Sequence, residues 1–239
     1  MTDLRPVIRV IDLGTTPYGA TLDLQRRLCR ERIDGRQPDD LLLLLEHPTV
    51  VTLGRNTKAA SLPIPPDQLR ARGLEVFEVE RGGDVTLHAP GQLVGYPIFH
   101  LEGHRPDLHW YLRQVEAALI AALLPFGIPA ERSAGQTGVW TRGRKIASIG
   151  IHVKQWVTFH GFALNVTTAL DLFDLIVPCG LHGVSMTSVR QEATTAAEED
   201  LDRRVRVEVA ESFGRAFERP IVWTDARQIA GEPPVSQRR

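Results

Sequence analysis

Cysteine is scarce: the 239 residues hold two, Cys29 and Cys179. Two thiols so far apart build neither a disulfide framework nor a CxxC metal pair, and the pattern fits a reducing cytoplasm. Lysine is almost as rare, at Lys58, Lys145 and Lys154, while arginine supplies the other 25 of 28 cations. Biased codon usage converts surface lysines to arginine, so those that remain are enriched for places where arginine, which cannot shed its proton, would not serve. No apolar run approaches the length of a membrane span. The opening MTDLRPVIRVIDLG intersperses acidic and basic residues and has no apolar segment before a small-residue cleavage site, so no secretory signal is expected. A net charge of -1 removes any broad attraction to nucleic acid or an anionic membrane, and neither is expected as a partner.

What is present is ordinary globular material, 43% hydrophobic and 24% charged, enough for a substantial core. Alternation over Pro6–Leu13 predicts a strand ending at Gly14, and Ala20, Leu24 and Leu28 predict a helix over 17–33. Cys29 falls inside that helix and reads as packing. Leu41–Leu45 and Val50–Leu53 read as strands, 56–68 as a proline-rich loop, and Val76–Val79 as a short strand. The segment 81–92, RGGDVTLHAPGQ, reads as a glycine-bearing hairpin whose backbone can approach a ligand, followed by a strand over Leu93–Phe99. Asp107 caps a helix carrying Leu108, Leu112, Val115, Leu119 and Leu123 on one stripe, with Gly127 beyond its end. Gly138–Thr141, Lys145–Val153 and Val157–Val166 read as an antiparallel meander turning at Arg142-Gly143 and Lys154-Gln155. A last helix places Val205, Val209, Phe213 and Phe217 on one face. Helices interrupt runs of strands instead of alternating with them, which predicts an α+β domain with a mixed, largely antiparallel sheet and packed helices. One domain over residues 1–230 is expected, with a C-terminal helical cap over 191–220 as an option and a disordered tail over 231–239.

Two residues invite chemistry. Cys179 stands in Pro178-Cys179-Gly180 after an apolar run, so its sulfur sits at a bend, where a thiol can reach a cleft. Spacing alone leaves burial, the commoner fate of free cysteine, as the competing reading. Strict alternation over Lys145–Val153 puts Lys145 on the apolar face with Ala147, Ile149, Ile151 and Val153, leaving Ser148, Gly150 and His152 on the other. A buried ammonium needs an anion or must release its proton, unless Lys145, at the strand's first position, snorkels to solvent. A lysine beside a thiol favours the thiolate, which makes the pair a candidate nucleophile, although 34 intervening positions fix no distance.

Arg81-Gly-Gly-Asp-Val-Thr-Leu-His88, Pro90-Gly91-Gln92, Gly138-Val-Trp140, Lys145-Ile-Ala-Ser-Ile-Gly150, Gly161-Phe162-Ala163, Asn165-Val166, Pro178-Cys179-Gly180 and Thr187-Ser188, in this order, resemble the lipoyl(octanoyl) transferases. The resemblance implies the fold of biotin and lipoate protein ligases. It also implies transfer of an octanoyl or lipoyl group from acyl carrier protein to a lysine of lipoyl domains, in 2-oxoacid dehydrogenase complexes or the glycine cleavage H protein, for lipoate biosynthesis. In that family Cys179 would carry the acyl thioester and Lys145 would favour its thiolate. The acyl chain would be bound by Arg81, Gly82, Gly83, Asp84, Val85, Thr86, Leu87 and His88, by Ser148, Ile149 and Gly150, and by Gly161, Phe162 and Ala163. No cofactor, no metal and no ATP are implied, and the chain would act as a cytoplasmic monomer. Leu87 departs from the family's usual aromatic residue and Leu181 from its common isoleucine. The alternatives are an ATP-dependent lipoate or biotin ligase, a non-catalytic acyl or lipoyl-domain binding module, and a metal site using Cys179 and His182 with His152 or His160.

Overall fold

The computed structural model describes residues 6–177, 184–194 and 200–229. In chain order the principal elements are β1 (Ile8–Thr15), α1 (Tyr18–Ile33), β2 (Asp40–Glu46), β3 (Val50–Leu53), α2 (Pro66–Ala71), β4 (Glu75–Glu78), β5 (Val85–His88) and β6 (Gln92–Ile98). There follow α3 (Leu108–Leu123), β7 (Ala130–Ser133), β8 (Gln136–Thr141), β9 (Arg144–Lys154), β10 (Val157–Asn165), α4 (Val189–Glu192), α5 (Leu201–Ala216) and β11 (Ile221–Trp223). The expected tail over 231–239 lies outside the described residues, and so does Cys179.

Eight strands form one mixed sheet in the order β11-β1-β2-β6-β10-β9-β8-β7. Only β11–β1 and β1–β2 pair in parallel; every other neighbour is antiparallel, as expected of an α+β fold. The run Leu41–Leu45 is continuously apolar because both faces of β2 are covered. Leu42 and Leu44 point into a cluster with Val115, Leu119, Val205 and Phe213 from α3 and α5, whereas Leu41, Leu43 and Leu45 meet Leu28 of α1. A second sheet, β4-β3-β5, lies on the α1 side of the molecule, where Val50 of β3 and Phe77 of β4 pack on Tyr18 and Leu22.

Several boundaries differ from the sequence reading for identifiable reasons. Segment 81–92 is not a hairpin: β5 pairs with β3 in the small sheet and β6 with β2 and β10 in the large one, so Pro90-Gly91 carries the chain between sheets. Gly91 turns there at φ 79°, with Thr167 and Thr168 packed where a Cβ would project. The strands β7 and β11 and the helix α2 were not expected; α2 starts at a proline pair inside the proline-rich loop, where the missing N–H groups cost a first turn nothing. Asp107 does cap α3, accepting from the Trp110 amide, but Leu108 beyond it is 42% exposed instead of core. The second meander turn centres one residue later than expected, on Gln155-Trp156, with Lys154 and Val157 paired across it. All four stripe residues of α5, Val205, Val209, Phe213 and Phe217, are buried as expected.

Candidate active site

On the α1 face of the large sheet, the neighbouring strands β9 and β10 place small side chains opposite one another, Ser148 across from Ala163 and Gly150 across from Gly161. These short residues leave the floor of a cleft. Its far wall is the segment 81–88 beside the small sheet, and the empty space between, open mouth included, is about 470 Å³. Gly150 is needed for this approach: a Cβ there would lie 2.9 Å from the Gly82 oxygen. The Gly82 amide in turn donates to Ile151 O at 2.8 Å and ties the loop to β9. Arg81 is buried, its guanidinium donating to Thr52 O and Oγ1 at 2.8 and 2.9 Å, so it anchors the loop on β3. Asp84 accepts from Ser61 Oγ at 2.6 Å and from the Val85 amide at 2.7 Å.

Of the residues expected to bind the acyl chain, Arg81, Gly83, Asp84, Val85, Thr86 and His88 line the cleft from one side, and Ser148, Ile149, Gly150, Gly161, Phe162 and Ala163 from the other. Gly82 and Leu87 do not. Gly82 serves as the tie to β9, and Leu87 packs into a separate core with Val51, Leu69 and Phe173, which Val85 also joins. The cleft also takes in Tyr18, Tyr96 and His160, which sequence reasoning missed. Tyr18 opens α1 and Tyr96 sits mid-strand, where nothing in the sequence separates a cleft residue from a core one. His160 reaches the cleft from a left-handed backbone, φ 57°, that a histidine in a strand pattern does not announce.

Two buried histidines beside this cleft are held neutral with defined tautomers. Asn165 Nδ2 donates to Thr187 O at 3.0 Å, so Asn165 Oδ1 accepts from Gln92 Nε2 at 3.0 Å, and Gln92 Oε1 accepts from His88 Nδ1 at 2.9 Å. His88 therefore has a bare Nε2, and burial pushes its pKa down to about 3. His47 Nδ1 donates to Thr16 O at 2.6 Å, its Nε2 accepts from the Tyr96 hydroxyl at 2.8 Å, and burial lowers it to about 4. Between pH 7 and pH 5 the unfolded chain takes up protons on these side chains that the folded protein refuses, so stability falls as pH is lowered from about 6.5 toward the folded values. The expected loss at pH 5 is roughly 2 kcal/mol for each histidine. Denaturant unfolding at the two pH values checks this, and a His88→Gln variant should lose the smaller amount.

Lys145 is 1% exposed, and it does not share the face of Ala147, Ile149, Ile151 and Val153. The β8–β9 ladder shifts register between Val139↔Ala147 and Trp140↔Lys145, so β9 carries one extra residue, Ile146, in a bulge. Ile146 and Ala147 both enter the core with Val139, and Lys145 is thereby turned to the opposite face, that of Ser148 and Gly150. Its ammonium lies over Trp140, 4.8 Å from a ring centroid, and Gly138 makes room for its stem.

The chain bearing Cys179 leaves the described residues at Val177 and re-enters at Val184. One flank is tied to the cleft loop and the other to Lys145. The Val177 amide donates to Ser61 O at 2.9 Å, and the hydroxyl of that same serine holds Asp84 of the cleft loop. On the other side Lys145 donates its amide to Ser185 O and accepts from the Thr187 amide, each at 2.9 Å. Cys29, by contrast, is buried on α1, and desolvation pushes its thiol up to about 11. Among the described residues, no three His, Cys, Asp or Glu side chains gather into a metal-binding group. No helix among them is long and apolar enough to cross a membrane.

Known proteins resemble this chain along most of its length. An octanoyltransferase from Gloeobacter violaceus is 53% identical over 172 residues, covering 72% of this chain and 75% of that protein. One from Synechococcus elongatus is 44% identical over 223 residues, covering 93% of each. Among solved structures, a lipoate-protein ligase A bound with ATP superposes with a TM-score of 0.72 at 17% identity, over 91% of this chain and 88% of that one. A bi-partite lipoate protein ligase studied with its E2 lipoyl domain from Thermoplasma acidophilum gives 0.72 at 16% identity, over 92% and 88%. At that identity the structures attest the fold alone. The lipoyl protein ligase A/B catalytic domain matches over residues 17–210, which include every described wall of the cleft, and the chain belongs to that family, in the branch whose curated members are octanoyltransferases.

Proposed function

We propose that octanoyl transfer, the acyltransferase activity of this branch of the family, runs here through a thioester on Cys179 assisted by Lys145. The donor is octanoyl-acyl carrier protein, and the acceptor is a lysine of a lipoyl domain in a 2-oxoacid dehydrogenase complex or of the glycine cleavage H protein. A cytoplasmic location goes with this reading. The observation that supports it best is the β9 bulge, which turns the buried Lys145 to the face of Ser148 and Gly150 and against the chain that leads back to Cys179.

In the first step the Cys179 thiolate attacks the thioester carbonyl carbon. A carbon–sulfur bond to the enzyme forms, the bond to the carrier breaks, and the carrier departs as a thiol with the proton taken from Cys179. In the second step the ε-amine of the acceptor attacks the acyl enzyme, a carbon–nitrogen bond forms, and the enzyme's carbon–sulfur bond breaks. The proton lost by the amine returns to the thiol, with Lys145 as the relay. Thioester for thioester is near balance, and amide formation draws the sequence forward without ATP. The octanoyl chain occupies the cleft between β9–β10 and segment 81–88 in both steps.

Incubation with octanoyl carrier protein followed by intact-mass measurement tests the reading. One octanoyl adduct on the wild type, lost on treatment with hydroxylamine and absent from Cys179→Ser, is expected. No adduct on the wild type, an adduct that survives Cys179→Ser, or transfer that requires ATP would overturn it.

A further inference from the structure

The Thr187-Ser188 pair in the sequence has no part in the chemistry described so far, yet Thr187 is fully buried and every polar group it owns is engaged. Its amide donates to Lys145 O at 2.9 Å, its carbonyl accepts from Asn165 Nδ2 at 3.0 Å, and its hydroxyl donates to Glu192 Oε1 at 2.6 Å. The three partners belong to β9, β10 and α4. Sliding this stretch along Lys145 in either direction therefore breaks a bond to one of the others.

Glu192 is itself buried, and its carboxylate is held by Arg142 at 2.8 Å and Arg144 at 2.5 Å from the turn between β8 and β9. Of the two acceptors within reach of the Thr187 hydroxyl, Gln191 Oε1 at 3.3 Å and Glu192 Oε1 at 2.6 Å, the nearer is a charged group fixed by two guanidinium groups and makes the stronger bond. The side chain of Ser188 caps the same short helix by accepting from the Gln191 amide, which fixes Glu192 from its own chain. The bulge in β9 completes the arrangement. It turns the side chain of Lys145 while leaving that residue paired with Trp140 of β8, and the N–H and C=O of Lys145 are taken up by Ser185 and Thr187. The irregularity aims the lysine side chain, and the backbone of the same residue carries the segment arriving from Cys179.

We propose that Thr187 is a positioning residue for octanoyl transfer, locking the chain that follows Cys179 in register with Lys145 through its hydroxyl bond to the buried Glu192. The inference rests on the reading in which Cys179 and Lys145 act together. Thr187 touches no substrate in this account; it sets where the lysine and the returning chain stand with respect to each other, and a small misplacement of a reacting group carries a large rate penalty.

Thr187→Val keeps the shape and removes the donor, and Thr187→Ser keeps the donor. Octanoyl transfer by each full-length variant is followed with kcat and the KM for octanoyl carrier protein separated, together with thermal unfolding and mass-located alkylation of Cys179 by iodoacetamide. The expected result is a loss of about tenfold or more in kcat for Thr187→Val, KM within about twofold, slower Cys179 alkylation, and recovery of most of the rate in Thr187→Ser. Wild-type kcat in Thr187→Val would overturn the proposal, as would a loss that Thr187→Ser shares equally or that follows the fall in Tm. Should the valine variant not fold, Thr187→Ala, which sets no methyl group against Glu192, answers the same question by the same criteria. The octanoyl adduct on the wild type is the control. Its absence defeats the Cys179 reading whatever the variants do, and its presence with an unaffected Thr187→Val defeats only the role given to Thr187.

Discussion

Lys145→Met is expected to lower the rate of octanoyl transfer by about 10²–10⁴-fold, the contribution typical of a positioned proton-transfer group. Methionine matches the length of the lysine stem and suits a site that is 1% exposed and lies against Trp140. Arginine is no substitute, although it keeps the charge. Its planar fork needs space that is already filled, since a Cβ at Gly138 would stand 3.0 Å from Lys145 Cε, and it cannot give up a proton. Lys145→Arg is therefore expected to be as slow as Lys145→Met. Single-turnover transfer from octanoyl carrier protein, with unfolding measured beside it, checks both, and a Lys145→Met enzyme within tenfold of wild type would remove the lysine from the mechanism.

Phe213→Ala lowers unfolding free energy by about 3–5 kcal/mol, the usual consequence of deleting a buried ring whose site cannot collapse. Phe213 is fully buried on α5, 5.4 Å from the ring of Phe162 and 5.8 Å from that of Phe217. Phe162 cannot relax on its other side, because its ring covers Gly95 so closely that a Cβ there would fall 2.1 Å from Cζ. The hole left by Phe213 borders the ring of Phe162 within the core under α3 and α5. Denaturant titration gives the stability, and Phe213→Leu, which fills most of the space, is expected to cost about 1–1.5 kcal/mol.

Periodicity made the regular parts of this fold legible. The apolar run at Leu41–Leu45, the stripe on α5 and the meander from 136 to 165 follow patterns that local burial imposes, and the structure contains them. Pairings decided at long range were not legible. Strand β11 lies parallel to β1 across most of the chain length, and no residue near 221–223 signals it. The hairpin expected at 81–92 failed for a related reason: a Pro-Gly turn looks the same whether it returns a strand to its neighbour or passes it to another sheet. At the site, glycine spacing pointed to segment 81–92 and small side chains pointed to Ser148 and Gly150, because close backbone approach leaves a mark in composition, whereas Gly161, Phe162 and Ala163 came from the family resemblance alone. Tyr18, Tyr96 and His160 left none. Alternation assigned Lys145 to the wrong face because a bulge adds one residue without altering the residue types around it.

The walls of the cleft belong to two sheets between which, among the described residues, no strand pairing runs. Segment 81–88 rides with the small sheet, β9 and β10 form part of the large one, and the hydrogen bond from Gly82 to Ile151 spans the gap. A shear of one sheet against the other would break that hydrogen bond and leave both ladders intact. Solvent exchange at the Gly82 amide is the measure of such a shear, and a ligand that bridges both walls is expected to slow it.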